Sequence, residues 1–279
     1  MIRIITDSSS DMSLKHCREL DIDLVPLRVS FGQKSYRSLI EISNKEFYEQ
    51  LAASEALPTT AQITPGEFEQ IFQEYVSQGD EVIGLFISSK MSGTYQSALL
   101  AKEMVGSQRI HIVDTLTVTF ALALLVEEAV KMRDRGNLTA GEIAARIHEL
   151  VPRVCLWAVV DTLEYLKKGG RLSPGSAFFA SILGICPVIT IKDGLVEAAG
   201  KARGKQAGFK LIEGLLKKQE ISGDYGITLG HTNSTKSMEA FVQYFKEYLK
   251  KRDIEICEIG SIVGAHVGPG ACGIAYIAK

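Results

Sequence analysis

The sequence predicts an α/β protein whose N-terminal half is a parallel sheet wrapped by helices in Rossmann-like layers. The C-terminal half is predicted as a two-layer α+β domain. Three observations carry these predictions. Short apolar runs alternate with helical patterns in the first half, hairpin signals occur in the second, and the 279-residue chain, 46% hydrophobic, exceeds the usual size of one domain.

The strands of the first half are predicted from apolar runs that end in Asp, Ser or Thr. They cover residues 2–6, 81–88 and 109–114. Each polar cluster marks the point where a strand gives way to a helix. Because the carboxyl ends of parallel strands meet at one edge of a sheet, that edge is the expected ligand site.

The other elements of the first half follow from periodicity and turn residues. Residues 25–38 alternate about Phe31, Gly32 and Gln33, which predicts a hairpin added to the parallel sheet. Helices are predicted over residues 43–53, 65–77, 118–134 and 139–150.

A stretch rich in glycine, with one proline, at 162–176 interrupts the pattern and predicts a domain boundary. The first domain then covers residues 1–158 and the second 159–279. In the second half, Asp193 and Gly194 predict a type I′ hairpin turn. A strand predicted over 156–161 leads into the glycine-rich stretch. Beyond that stretch, strands are predicted over 187–192, 194–202, 225–230, 255–264 and 272–278, with helices over 205–219 and 234–250.

Composition and charge exclude several classes of protein. Charged residues make up 23% of the chain and the net charge is -2, so nucleic acids and anionic membranes are not expected partners. The apolar run at 118–126 is about half of the ~20 residues that span a bilayer, and no signal peptide is evident. Five separated cysteines without a CxxC pair favour a reducing compartment. We therefore expect a cytoplasmic protein with peripheral or no membrane contact.

Common catalytic and ligand-binding motifs are missing or incomplete. Residues 268–273 match GxGxxG, but the six residues after them are too few for a βαβ unit. Asp7, Ser9 and Asp11 imitate the start of a calcium loop, whereas Met12 stands where that loop requires glycine. No GxSxG, HExxH or GxxxxGK[ST] motif occurs. The missing motifs make an enzyme less expected without excluding one, and the prediction is a protein with no metal, no cofactor and no catalytic residue.

The strongest local signal for a ligand follows the strand at 81–88. There Ser92, Gly93 and Thr94 open a predicted helix. Free amides at a helix start favour an anion, hydroxyl groups donate to it, and glycine lets the backbone come close. Ser92 equally fits an ordinary N-cap.

Two further polar segments are candidates for the same site. In the first, Thr64 and Glu67 predict a capping box, which leaves Thr60 and Gln62 without a structural role. In the second, His266 lies in a predicted turn-rich loop just before the last strand. A lone histidine is more often structural than functional, so both interpretations of His266 stay open.

Seven ordered segments then give the chain a family resemblance. They read ITDSSSD, TTAQITPGEF, ISSKMSGTYQSA, VDT, LKKGGRLS, KARGK and GAHVGPGACG. Over residues 2–278 the chain resembles the DegV family of bacterial fatty-acid-binding proteins, the acyl-carrying subunits of fatty acid kinase. The resemblance implies a carrier that binds one long-chain, palmitate-like fatty acid between its domains. It also implies that an ATP-dependent kinase subunit converts the presented carboxyl group to an acyl phosphate for phospholipid synthesis.

The resemblance implies roles for individual residues as well. It places five residues at the fatty acid carboxyl group: Thr60, Ser92, Gly93, His266 and Arg171. Thr60 and Ser92 would donate through their hydroxyl groups and Gly93 through its amide. Arg171 and Arg203 match arginines that the family associates with docking of the kinase.

Two residue groups remain open between a functional and a plain structural interpretation. An apolar run is interpreted as the acyl tunnel, with ordinary core packing as the alternative: Phe178, Phe179, Ile182, Leu183 and Ile185. A basic group is interpreted as a docking patch for an acidic partner, with a solvated face as the alternative: Lys167, Lys168, Arg171, Lys201, Arg203 and Lys205.

A second hypothesis for function is an enzyme that acts on a small phosphorylated metabolite at the same sheet edge. In it, His266 serves as acid or base and Arg171 clamps the anion. This hypothesis explains the hydroxyl groups but not a tunnel. A third, a regulatory nucleic-acid-binding protein, finds little support in the net charge.

Overall fold

The computed structural model describes residues 1–179, 184–250 and 254–279. The strands, in chain order, are β1 (Ile2–Asp7), β2 (Ile22–Val25), β3 (Arg28–Phe31), β4 (Lys34–Arg37), β5 (Thr59–Ala61), β6 (Glu81–Phe86), β7 (Ile110–Asp114), β8 (Val154–Val159), β9 (Ile185–Lys192), β10 (Leu195–Arg203), β11 (Ile227–His231), β12 (Ile254–Glu258) and β13 (Cys272–Ile277). The helices are α1 (Leu14–Glu19), α2 (Asn44–Ala53), α3 (Pro65–Ser77), α4 (Thr94–Val105), α5 (Phe120–Arg135), α6 (Ala140–Leu150), α7 (Glu164–Lys168), α8 (Gly204–Leu216), α9 (Thr235–Leu249) and α10 (Ser261–Val267).

The N-terminal half is built on a parallel sheet in the order β2-β1-β6-β7. Successive side chains of a strand point to opposite faces, so neighbours in β1 enter different cores. Ile4 packs with α5 and α6, and Ile5 packs with α2, α3 and α4. Helices therefore cover both faces of the sheet, which confirms the predicted fold class for this half.

The predicted hairpin exists but lies elsewhere. β3 and β4 pair antiparallel, and β5 joins them in a separate three-stranded sheet. The prediction that the hairpin extends the parallel sheet was therefore wrong. Pro26 directly follows β2 and has no backbone N–H with which to continue its ladder. The chain leaves the parallel sheet there, and β3 pairs with residues 59–61 instead.

The C-terminal half is a mixed sheet in the order β10-β9-β8-β13-β11-β12, in which β11 and β12 are parallel and the other pairs antiparallel. α8 and α9 cover one face through a core that contains Phe209, Phe241 and Phe245. Asp193 and Gly194 both have positive φ, at 49° and 81°, as the predicted type I′ turn between β9 and β10 requires. The two-layer α+β prediction is confirmed.

α5 connects the two halves because both sheets pack against it. Its residues from Phe120 to Val126 are all buried. Leu122 and Leu124 belong to the core of the parallel sheet, whereas Phe120 and Ala121 belong to a core shared with β8 and β13. The apolar run that the sequence shows at 118–126 thus serves a helix enclosed by protein. Among the described residues, no helix is long and apolar enough to cross a membrane.

Two buried carboxyl groups, one on the last residue of β1 and one shortly after it, join segments of both halves. Each carboxylate oxygen of Asp7 and Asp11 accepts one hydrogen bond, at 2.6–2.9 Å. The donors are Ser9 N and Ile87 N for Asp7, and Gly260 N and Thr119 Oγ1 for Asp11. We call Asp7, Asp11 and these donors the aspartate cluster. It ties the end of β1 to the start of α5 and to the segment before α10.

The strand predicted over 255–264 was wrong beyond Glu258, where β12 ends. Gly260 caps the short helix α10, and His266 lies on this helix instead of in the predicted loop. Gly264 allows α10 to approach α2, because a Cβ there would lie 2.7 Å from the Tyr48 hydroxyl oxygen. Tertiary packing therefore stabilises a helix where Ile262 and Val263 suggested a strand.

The predicted boundary at 158/159 would divide β8. All of this strand pairs within the C-terminal sheet, with β9 on one side and β13 on the other. The boundary stays a prediction, and the pairing of β8 favours a position before Val154.

Candidate functional site

A cavity of about 130 Å³ lies beyond the carboxyl end of β6, at the edge where a ligand site was predicted. All five residues predicted to surround a carboxyl group line it: Thr60, Ser92, Gly93, Arg171 and His266. We call these five residues the polar end of the cavity. They come from β5, the start of α4, the segment after α7, and α10, so the fold brings together distant parts of the chain.

His266 and Thr60 form a hydrogen-bonded pair, with 2.8 Å between the ring Nε2 and the threonine Oγ1. Burial, together with the positive charge of Arg171, lowers the pKa of His266 to about 4. The imidazole is therefore neutral at physiological pH. The other ring nitrogen, Nδ1, is buried and has no hydrogen-bond partner in the described part of the chain.

The unpaired Nδ1 decides between the two tautomers of the ring. A buried N–H without an acceptor is rarer in native structures than an unpaired acceptor, which favours placing the proton on Nε2. In this tautomer His266 donates to the Thr60 oxygen across the 2.8 Å contact. The hydroxyl proton of Thr60 is then available for an acceptor in the cavity. The pair can thus donate to an anion without itself carrying a charge.

Gly169 fixes the position of the His266 ring. It ends α7, and a Cβ at this position would overlap His266 Nδ1. The φ of Gly169 is -76°, so the backbone itself would accept a side chain. Close approach to the histidine is therefore the reason for a glycine here, and sequence reasoning did not single this residue out.

Ser92 lies one residue before the N-cap of α4, which is Gly93, and Gly93 has no side chain to cap the helix. The Ser92 hydroxyl oxygen accepts from Thr94 N at 3.2 Å and shares a hydrogen bond with Thr94 Oγ1 at 2.9 Å. Ser92 therefore has a local capping contact and also lines the cavity. The two interpretations that the sequence left open for Ser92, a helix cap and a ligand-binding residue, therefore each describe part of its environment.

Gln62 is a further polar residue of the cavity wall. Its side-chain amide donates to Ser97 Oγ at 2.9 Å, and a Cβ on Gly93 would overlap it. This close approach explains why Gly93 has no side chain. In the sequence, Gln62 stands beside a capping box but has no structural role of its own. That unexplained polar residue was the signal that could have placed it in the site.

Arg171 supplies the positive charge at the polar end. Its Nε donates to Met91 O at 3.0 Å, and a terminal nitrogen donates to Gly169 O. These two carbonyl groups orient the guanidinium beside the cavity that it lines. A cationic group at this place attracts an anionic ligand, as both hypotheses from the sequence require.

The rest of the cavity wall is apolar and comes from both halves of the chain. Besides Ala61, which lies between Thr60 and Gln62, it consists of Leu27, Ile87, Met91, Val118, Leu166, Val196, Ile262, Val263 and Val267. Ile87 and Met91 flank the polar motif at 88–89, but the other residues lie far from it in sequence. We call these nine residues the apolar wall. Sequence reasoning missed them because their convergence depends on how the halves pack.

Of the predicted tunnel residues, Ile185 can be compared with this wall: it begins β9, is half-buried and is not among the lining residues of the cavity. The other four cannot be compared. Phe178 and Phe179 belong to a 3-10 turn over Pro174–Phe179, and their side chains lie outside the described part of the structure. Ile182 and Leu183 also lie outside the described residues. The tunnel assignment stays a prediction.

The predicted basic patch divides into separate environments. Arg203 is exposed at the end of β10 and is not part of the cavity wall. Lys167 and Lys168 are exposed on α7. Lys205 lies 3.2 Å from a carboxylate oxygen of Asp161 and donates to a backbone carbonyl, so it has structural partners.

Fold and site together define a class: two packed α/β halves that enclose a cavity with polar donors at one end and an apolar wall. The family model for the "Uncharacterised protein, DegV family COG1307" matches residues 1–279. The chain belongs to the DegV family. A DegV domain-containing protein of Clostridium acetobutylicum is 34% identical over 278 residues, which cover 100% of this chain and 99% of the relative.

Solved structures show the same architecture. A fatty-acid-binding DegV family protein from Thermus thermophilus is similar, with 29% identity, a TM-score of 0.89 and coverage of 100% of this chain and 99% of that one. A stearic-acid-binding protein from Eubacterium ventriosum is similar at 26% identity and a TM-score of 0.91, with the same coverage. These comparisons bear out the family resemblance and the fold class predicted from the sequence.

Proposed function

We propose that this protein is a non-catalytic carrier that binds one long-chain fatty acid in the cavity. The polar end holds the carboxyl group, and the apolar wall receives the methylenes nearest to it. The observation that carries the proposal is that one cavity has neutral and cationic hydrogen-bond donors at one end and an apolar wall over the rest. The fatty acids bound by the structural relatives from Thermus thermophilus and Eubacterium ventriosum support it.

The energetics favour a fatty acid over a small anion. Each buried methylene contributes roughly 0.8 kcal/mol, so a tail of about fourteen gives about 11 kcal/mol before ordering costs. Transfer of an unpaired carboxylate from water costs several kcal/mol, and hydrogen bonds to a charged group each return about 1.5–3 kcal/mol. The tail therefore supplies affinity, and the polar end sets orientation. The predicted run at 178–183 is proposed to receive the distal tail.

The carrier would deliver its ligand to an ATP-dependent kinase that phosphorylates the carboxyl group to an acyl phosphate for phospholipid synthesis. Arg203 is exposed outside the cavity wall, which suits a docking contact. Arg171 would serve both the carboxyl group and docking. Arg203→Ala should leave fatty acid affinity within about twofold of the parent while lowering acyl phosphate formation by a partner kinase. Equal loss of binding and transfer would contradict a docking role.

Organic extraction of the purified protein followed by mass spectrometry tests the ligand directly. We expect about one long-chain fatty acid per chain, or uptake of one by the delipidated protein. Melting temperatures with fatty acids and with phosphate esters separate the carrier from the alternative enzyme, since only the preferred ligand class raises them. If the protein neither carries nor takes up a fatty acid, and its melting temperature rises with a phosphate ester, the enzyme hypothesis would replace the carrier hypothesis.

A further inference from the structure

Three potential metal ligands converge on the side of the molecule where β12 forms the edge of the C-terminal sheet. They are His16 on α1, Glu127 on α5 and Glu255 on β12. The ring Nε2 of His16 lies 3.4 Å from Glu127 Oε1 and 3.8 Å from Glu255 Oε2. One ligand atom from each residue lies within 4.8 Å of those of the other two. No sequence motif signals this group, because the three residues belong to three separate segments.

These spacings match the coordination sphere of a first-row transition ion. Nitrogen and oxygen ligands bind Zn²⁺ at about 2.0–2.2 Å, so two ligands at a tetrahedral angle are roughly 3.3–3.5 Å apart. Both histidine–carboxylate distances are within a few tenths of an ångström of that range. A metal-bound imidazole usually has a carboxylate or carbonyl near its second nitrogen. Here the Glu19 carboxylate lies 3.9 Å from His16 Nδ1.

The charges around the group favour a cation. Lys131 lines the same cavity, but its ammonium group lies 2.6 Å from a carboxylate oxygen of Glu128, so its close ion pair is formed outside the group. The ligand oxygens of Glu127 and Glu255 lie within 4.8 Å of each other. Two carboxylates forced together are stabilised by a shared proton or by a bound cation. A divalent ion would satisfy both at once.

The three residues also line one cavity of about 350 Å³. This space leaves room for water to complete a coordination sphere that has only three protein ligands. We propose that His16, Glu127 and Glu255 bind one divalent first-row transition cation, with Zn²⁺ as the reference ion. The imidazole selects against Mg²⁺ and Ca²⁺, which prefer oxygen ligands throughout.

The bound ion would act as a crosslink. α1 packs on the N-terminal sheet, α5 lies between the halves, and β12 belongs to the C-terminal sheet. Coordination by all three elements would stabilise the arrangement of the halves and, through it, the cavity between them. The group lies apart from the fatty acid cavity and shares no lining residue with it. Its occupancy can therefore be tested independently of fatty acid binding.

Calorimetric titration of the EDTA-treated protein with ZnCl₂ tests the proposal. We expect one Zn²⁺ per chain and a rise of about 3 °C or more in melting temperature at saturation, with no such rise from MgCl₂. His16→Asn and Glu127→Gln should each weaken Zn²⁺ binding about tenfold or more. Glutamine has the shape of a protonated glutamate, so Glu127→Gln should fold. Glu255→Gln, at a side chain that is 43% exposed, provides a second conservative variant.

His148→Asn, at an exposed histidine on α6, is the matched control and should bind Zn²⁺ like the parent. Co²⁺ as a probe should give no sulfur-to-metal charge-transfer band, which distinguishes the site from one that uses Cys17. Absence of saturable Zn²⁺ binding would overturn the proposal. Unchanged binding after combining His16→Asn with Glu127→Gln, or equal stabilisation by MgCl₂, would overturn it as well.

Discussion

The aspartate cluster is buried and the polar end of the cavity is half-buried, and both bring polar groups together from several segments of the chain, yet they differ in how their hydrogen bonds are used. Every carboxylate oxygen of Asp7 and Asp11 has a donor within the protein. At the polar end, His266 Nδ1 has no partner among the described residues, and the Thr60 hydroxyl has a proton available for the cavity.

This difference separates structure from binding. A buried carboxyl group whose two oxygens each accept a hydrogen bond from a different segment holds those segments together. A group of donors with spare capacity beside an apolar wall can receive an acceptor from outside. The sequence shows polar clusters in both places and does not distinguish them. Substitutions in each region can test whether stability depends on the first and ligand affinity on the second.

The largest effect is expected from Asp11→Ala. This change leaves Gly260 N–H and the Thr119 hydroxyl without their acceptors in a buried environment. We expect the free energy of unfolding to fall by about 3 kcal/mol, measured by denaturant titration. Fatty acid affinity of the folded fraction should stay unchanged. Glu103→Ala, at an exposed position on α4, is the control, and equal stability losses in both variants would contradict the assignment.

Asp11→Asn tests the same region through pH. Burial raises the pKa of Asp11 to about 7 in the folded protein. The unfolded chain releases this proton near pH ~4, so the folded state binds more protons between these values and loses stability as pH rises. Between about pH 5 and pH 8, the free energy of unfolding of the asparagine variant should fall by about 2–3 kcal/mol less than that of the parent protein. Parallel stability curves for the two proteins would count against this role for Asp11.

Gly169→Ala tests the polar end without removing a donor. The added Cβ would overlap His266 Nδ1 and displace the ring from Thr60. We expect fatty acid affinity to fall about tenfold, equivalent to about 1.4 kcal/mol, in a titration with a fluorescent fatty acid. Gly214→Ala on α8, where nothing lies within 4 Å of the new Cβ, is the control. An unchanged affinity for Gly169→Ala would show that the ring position does not matter.

Ser92→Ala should have the smallest effect. It removes one hydroxyl from a site with several donors, so we expect roughly a threefold to tenfold loss of fatty acid affinity, about 1 kcal/mol. The melting temperature should change little. Ser89→Ala, at an exposed serine of the same turn, should have no effect on affinity. Loss of stability in place of affinity would mean that Ser92 acts only as a cap for α4.

The parallel sheet and most helix boundaries were predictable because local sequence determines them. Thr64, for example, caps α3 in a full capping box with Glu67, as its spacing indicated. α10 was not predictable in this way. It has seven residues, too few to be stable alone, and its packing against Tyr48 comes from a distant part of the chain.

In the candidate site, too, some residues could be recognised from local sequence and others depend on tertiary packing. Ser92 was found because it follows a predicted strand, Thr60 because the neighbouring capping box leaves it without a structural role, and His266 because it lies in a predicted turn-rich segment, although their roles rested on family resemblance. Leu27 and Val196 of the apolar wall carry no such signal, since an aliphatic residue in a core and one beside a ligand look the same in sequence. Only the packing of the two halves shows which of them face a cavity.

The position of α10 has a consequence for modularity. Although it follows β12 of the C-terminal sheet, it packs against α2, β3 and β5 of the first half and brings His266 to Thr60. A fragment that ends at the predicted boundary would keep Thr60 and Ser92 but lack His266 and Arg171. Neither half alone contains the whole binding site. Recombination that exchanges one half for that of another protein would therefore replace part of the site as well.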